Sequence, residues 1–277
     1  MVFLGAAALS VVVGLVLGRI IRRQNRIGPV EGAGREWIHV DNLTEPAIML
    51  AALLMAFMLV QTYASFQRAE EHAASEAATV LSEEQSAVLL VDADRDALQA
   101  DLICYARSVV HQEWPGMAEG RGADAVTTHW EEEVRTDLVA AADRDTVRLD
   151  TSGLVGLEST RATDRRERIA EVEPAVPGAL SWLIELTALS VLVLLCVFTW
   201  HLRPLVRLIL VGTVAMLVLM VAVGVRELDT PFTGFVAVEP NAMEATLAEI
   251  DPGAASPAIP CDPSGMPAAP APASSGR

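Results

Sequence analysis

Four apolar runs, Val2–Ile21, Ala47–Phe66, Ala179–Trp200 and Leu205–Val225, constrain this chain more than any other feature. Each is close to the twenty or so residues that an α-helix needs to cross a bilayer, a length that a soluble core rarely requires. They account for a conflict in the composition, which is 52% hydrophobic over 277 residues yet carries a formal charge of -16. Apolar length and acidity must be segregated along the chain. The pattern predicts an all-α integral membrane protein with four transmembrane helices in two hairpins flanking a helical-bundle insert. Its expected order is helix 1 at 1–21, an Arg-containing loop at 22–46, helix 2 at 47–66 and an acidic insert at 67–178. Helix 3 follows at 179–200, helix 4 at 205–225, a membrane-proximal segment at 226–250 and a disordered Pro/Ala-rich tail at 251–277.

The first run lacks a positive leading region, and its charges Arg19, Arg22, Arg23 and Arg26 follow it. It therefore reads as a retained helix with its N-terminus outside rather than as a cleaved signal. Arginines near the helix ends divide about evenly between the two sides, so orientation rests on this first helix and on the ease of translocating a long acidic loop. The insert is expected on the extracytoplasmic side of a plasma membrane. All basic residues are Arg and none is Lys, a bias of high-GC bacterial coding.

Within the spans, Ala6, Ser10, Gly14 and Gly18 recur every four residues, a small-residue face that lets a second backbone approach. It suits packing within the chain or in a homo-oligomer. Gln61 and Glu185 lie at similar depth from the insert side, and Arg226 leaves the fourth span there. The three form a candidate intramembrane polar site. A carboxylate at that depth either locks helices together or lines an ion path.

Residues 67–178 hold 24 acidic and 11 basic side chains, a net of -13. Leu98, Leu102, Tyr105 and Val109 make one helical stripe and Val126, Trp130, Val134 and Leu138 a second, which together imply a bundle. Trp114-Pro115 is expected to end the first of these helices. Arg161, Arg165 and Arg168 share a helical face that could pair with glutamates or meet lipid headgroups.

Chemistry-bearing motifs are absent from the sequence. Three cysteines, Cys104, Cys196 and Cys261, leave an odd count and form no CxxC, so neither a disulfide framework nor a zinc site is indicated. The five histidines share no ligand spacing; His111 with Glu113, and His129 beside Glu131–Glu133, come nearest to a metal pair. No phosphate loop, nucleophile elbow or Ser/His/Asp arrangement stands out. The expectation is no enzyme, no cofactor, no metal and no nucleic-acid partner. The partners expected are the lipid bilayer, further copies of the chain and inorganic ions.

Four strings then fall into order around the spans: EEHAASEAATVL (70–81), LICYARSVVHQEWPGM (102–117), RATDRRERIAEVEPAVPGALSW (161–182) and LDTPFTGFVAVEP (228–240). Over about residues 40–250 the chain resembles the bestrophin-like family of bacterial multi-pass membrane proteins, a domain of unknown function. The positions carrying the resemblance are Glu113, Trp114, Pro115, Arg161, Arg165, Arg168, Pro231, Phe232 and Gly234. It implies two membrane hairpins around a helical insert and kinship to pentameric anion channels. An oligomeric ion channel-like protein is the first functional expectation. The alternative is a membrane-anchored sensor or scaffold whose acidic insert binds a partner or ligand.

Overall fold

A computed structural model of the protein describes residues 41–144, 149–199, 203–251 and 259–268. Among these residues every regular element is a helix, and the only β contact is an isolated antiparallel bridge between Cys261 and Pro267. The elements are α1 (Asp41–Ser86), a 3-10 turn (Ala87–Leu89), α2 (Asp92–Ser108), a π turn (Val109–Glu113), α3 (Trp114–Ala118), α4 (Ala125–Arg144), α5 (Leu149–Ala170), α6 (Gly178–Phe198), α7 (Pro204–Leu228) and α8 (Asn241–Ile250). Contacts divide them into two units: residues 1–64 with 176–229, and residues 65–175 with 230–277.

The first unit is the apolar one. Two helices, α1 and α7, are long and apolar enough to cross a membrane, and α6 adds a shorter apolar stretch, Glu185–Val197. The expected first span, with Ala6, Ser10, Gly14 and Gly18, and the loop at 22–40 lie outside the described residues. α6 and α7 are antiparallel neighbours. At one end Arg207 donates to the Cys196 carbonyl at 3.1 Å, and at the other the Val176 amide donates to Asp229 at 2.8 Å. Leu53, Leu205, Leu208, Met216 and Met220 are each about two-thirds exposed. Side chains of that kind are stable only against lipid or another apolar surface.

α1 has 46 residues, about 69 Å at 1.5 Å per residue, more than twice the hydrocarbon thickness of a bilayer. Beyond Pro46 it has neither Gly nor Pro to stop it. Its second half belongs to the other unit, where Ala69, Ala73, Ala77 and Val80 are buried. Small residues four apart let neighbouring helices approach that face. The unit's core is the first predicted stripe, Leu98, Leu102, Tyr105 and Val109, against Trp130, Val134 and Leu138 of the second, with Leu154 of α5 and Met243 and Ile250 of α8. Val126, at the start of α4, is only partly buried against this cluster.

Three expectations need correction. Trp114-Pro115 does not end a helix: the chain passes through a π turn, closed by the Trp114 amide on the Val109 carbonyl, and continues to Ala118. Pro115 sits at the start of α3, where its missing N–H costs nothing. The break falls at Gly120, whose φ of 76° belongs to the left-handed region. The odd cysteine count also misled, because Cys104 and Cys261 are joined by a disulfide across 157 residues while Cys196 stays free and buried. Finally, residues 259–268 of the tail are ordered. They turn back at Gly265, and Trp130 Nε1 and Gln112 Nε2 donate to the Gly265 and Ser264 carbonyls at 2.7 and 3.1 Å. Compositional bias hid this because a short Pro/Ser/Gly turn needs no core of its own when a disulfide and two indole and amide donors hold it. The tail segments 252–258 and 269–277 lie outside the described residues.

Candidate functional site

α5 carries the densest chemistry in the second unit. Spacings of four and three place Arg161, Arg165 and Arg168 on its inward face, where Arg161 and Arg168 have no solvent exposure at all. Burying a guanidinium costs several kcal/mol unless charge and hydrogen bonds compensate, so the partners decide whether such a face exists. Arg161 Nε donates to Glu83 at 3.0 Å, and its guanidinium stacks 4.4 Å above the Tyr105 ring. Arg165 brackets Glu113 with Nε at 3.3 Å and Nη2 at 2.5 Å, and reaches Glu131 and Thr128 as well. Arg168 binds Glu76 through two nitrogens at 2.5 and 3.1 Å, touches Glu113 at 2.7 Å, and lies 4.9 Å over the Trp114 ring. Tyr105 closes the network by donating its hydroxyl to Glu76 at 2.6 Å.

The π turn places Glu113 at the centre. A helix that gains one residue in a turn shifts the register of everything after it. Here Glu113 is fully buried between two arginines, while His111, two residues earlier, is exposed. His111 and Glu113 therefore face different surroundings and make no metal pair. The Asp124 amide donates to Glu113 at 3.1 Å, anchoring the loop before α4 to the same carboxylate. Burial alone would raise the Glu113 carboxyl, but Arg168, then Arg165, hold it below its ordinary value. Glu83 goes the other way: burial outweighs Arg161 and pushes it up to about 7. Burial, with Glu76 adjacent, also pushes the Tyr105 hydroxyl well up.

The remaining resemblance positions converge on this network. Trp114 meets Phe232 edge to face at 5.7 Å between ring centroids, and its Nε1 donates to the Val238 carbonyl at 3.1 Å. Pro231 and Phe232 are buried, the Val238 amide donates to the Pro231 carbonyl at 2.7 Å, and Gly234 takes a φ of 90° at the tip of the turn. Pro231, Phe232 and Gly234 thus form a folded loop clamped on Trp114, which is itself stacked under Arg168.

A second carboxylate group lies between the middle of α2 and α4. Burial raises Asp101 to about 7, with Asp137 and then Glu133 of α4 adding to the effect, and Asp137 is raised as well, chiefly by burial. The α4 acidic run is thus not all solvated: Glu131 reaches inward to Arg165, whereas Glu132 stays exposed. His129 stands 3.8 Å from Glu133.

The three candidate polar positions all belong to the first unit: Gln61 is exposed on α1, Glu185 half-buried on α6 and Arg226 exposed at the end of α7. Sequence reading missed Glu76, Glu83 and Tyr105 as network members, and also a cluster of His72, Asp164 and Glu167 between α1 and α5. The helical phase of α1 around Ala69, Ala73 and Ala77 was the available signal for Glu76, which falls on that same face.

Comparison with known proteins is consistent with this architecture. The family model of the bestrophin-like domain matches residues 43–243. No match is found among curated proteins. Among solved structures, two single-substitution forms of a bacterial bestrophin homologue from Klebsiella pneumoniae superpose with a TM-score of 0.69 at 12% identity, covering 91% and 90% of this chain and 100% and 99% of theirs. A further structure of a bacterial bestrophin homologue from the same organism gives 0.64 at 14% identity, over 89% of this chain and 97% of the other. At such identities the superposition speaks for the fold, and with the family match it shows that this chain belongs to the bestrophin-like family.

Proposed function

We propose that the chain is one subunit of an oligomeric, ion-conducting membrane protein. The observation that carries this reading is the apolar exposure of the first unit, whose long side chains on α1 and α7 require lipid or sister subunits, in a chain of bestrophin-like fold. In this reading four transmembrane helices form two hairpins. Gln61, Glu185 and Arg226 form a polar set facing the conduction path. The insert's net charge of -13 repels anions and concentrates cations, so a cation preference is expected despite the kinship to anion channels. The Cys104–Cys261 disulfide favours an oxidising compartment, hence an extracytoplasmic insert. A topology reporter fused at Gly120 tests this: a cytoplasmic signal overturns the extracytoplasmic placement.

Planar-bilayer recording of the purified oligomer in salt gradients tests the proposal. Cation-selective current supports it; anion selectivity contradicts the charge argument, and silence from a folded oligomer removes the channel reading. Unchanged conductance in Glu185→Gln removes the polar set from the path.

One observation favours the sensor or scaffold reading: a surface hollow of about 450 Å³ between α2 and α8, lined by Arg107, His111, Leu247 and Asp251. Copurification from native membranes of a stable heterologous partner, in place of a symmetric homo-oligomer, would select it.

A further inference from the structure

The geometry points to a binding site for a first-row divalent transition metal, of zinc-like chemistry, formed by His72 of α1 with Asp164 and Glu167 of α5. His72 Nδ1 lies 3.1 Å from Glu167 Oε2 and 3.9 Å from Asp164 Oδ1, and the three donor atoms all fall within 4.8 Å of one another. A tetrahedral ion with bonds of about 2.0–2.1 Å holds its ligands roughly 3.3 Å apart. The two separations from His72 bracket that value and the third is no more than 4.8 Å, so an ion is accommodated by side-chain adjustments on the order of an ångström.

Helix phase explains why these groups meet: among the described residues no arginine pairs with Asp164 or Glu167, whose ionisable neighbour is His72. Arg161, Arg165 and Arg168 occupy the inward face of α5 and are committed to Glu83, Glu113 and Glu76. Asp164 and Glu167, three residues apart, lie on the neighbouring face beside α1. Arg68, one turn before His72, pairs with Glu171. Two carboxylates thus face an imidazole, and a divalent cation would neutralise the set.

Support around the ligands points the same way. The Ser75 hydroxyl, three residues along α1 from His72, donates to Asp164 Oδ2 at 2.7 Å and leaves Oδ1 turned to the cluster. Ligating carboxylates are commonly oriented by such an outer hydrogen bond. Side-chain exposure rises from 13% at Asp164 and 20% at His72 to 53% at Glu167. The site is open on one side, where water completes the coordination. An imidazole nitrogen with two carboxylate oxygens suits zinc or a neighbouring transition ion; calcium and magnesium favour all-oxygen sets.

Zinc titration of the full-length protein in detergent, followed by calorimetry and by competition with a chromophoric chelator, tests the site without reference to conduction. One zinc per chain is expected, weakened at least tenfold in His72→Ala and several-fold or more in Glu167→Gln. Glu167→Gln alters a half-exposed side chain, so it reads the site even if His72→Ala fails to fold. Equal zinc affinity in the unchanged protein and Glu167→Gln, or loss of the bound zinc in His129→Ala instead, overturns the proposal. So does the absence of one-to-one binding in the unchanged protein.

Discussion

Arg168 and Glu113 meet at 2.7 Å with neither side chain reaching solvent. The pair joins α5 to the π turn, and through Arg165 and Glu76 it extends to α4 and α1. Removing Arg168 strips buried Glu76 of its guanidinium and leaves Glu113 only Arg165, at a cost of about 3–5 kcal/mol, whereas removing Glu113 leaves Arg168 paired with Glu76. Arg168→Met is therefore expected to destabilise the insert strongly and Glu113→Gln less, and the double variant, which still leaves Glu76 buried without its arginine, by somewhat less than their sum. Chemical denaturation of the three variants followed by tryptophan fluorescence measures the coupling; additive losses would mean that the two side chains do not act as a pair.

The buried carboxylates set a pH dependence whose sign follows from their shifts. Asp101 moves from 3.8 to about 7 and Glu83 from 4.5 to about 7, so each binds its proton more tightly folded than unfolded. Their stabilising contribution is complete below about pH 4 and is lost as pH rises through about 7. Glu113, held below its ordinary value, loses stability in the opposite direction, under strong acid. The insert should be most stable near pH 5 and lose about 1–2 kcal/mol by pH 8, a figure discounted for solvent screening. Melting temperatures across pH 4.5–8.5 test this, and Asp101→Asn should flatten the slope.

Much of this fold is legible in sequence because helices announce themselves by period. The stripe from Leu98 to Val109 is buried throughout, and the Arg161, Arg165 and Arg168 face is readable from spacing alone. Their partners are not, since Glu76, Glu83 and Glu113 look like any other glutamate in an acidic stretch until three helices fold together. The π turn has no sequence period of its own. His72 stands 92 positions from Asp164, so no ligand spacing could link them. Cys104 and Cys261 are separated by 157 residues and accompanied by a third cysteine, an odd count that spoke against the disulfide they form.

The loop after α7 is clamped by an aromatic pair and one special backbone angle. Phe232 is 4% exposed against Trp114, so Phe232→Ala should cost about 3–5 kcal/mol of insert stability. Gly234 at a φ of 90° disfavours any side chain, so Gly234→Val is expected to destabilise the loop by about 1–3 kcal/mol. Hydrogen exchange at Val238, whose amide donates to Pro231, reports the loop directly and should quicken in both variants.

Reduction of the Cys104–Cys261 disulfide should release the tail turn while leaving the helical core folded. The turn is held by the disulfide, by Trp130 and Gln112, and by Arg107, which reaches both Asp251 and the Asp262 carbonyl. It also requires Gly265: a Cβ there would stand 2.4 Å from the Ser108 amide nitrogen. Closing a loop of this length lowers chain entropy by the equivalent of about 5 kcal/mol in a free unfolded chain, and by less in one whose ends are restrained by a membrane. Cys261→Ser and Gly265→Ala should therefore share one phenotype, rapid proteolysis within residues 259–268 and a modest loss of thermal stability. Limited proteolysis with mass mapping distinguishes this from core unfolding. Early cleavage within α2 or α4 in Cys261→Ser would show instead that the disulfide holds the bundle itself.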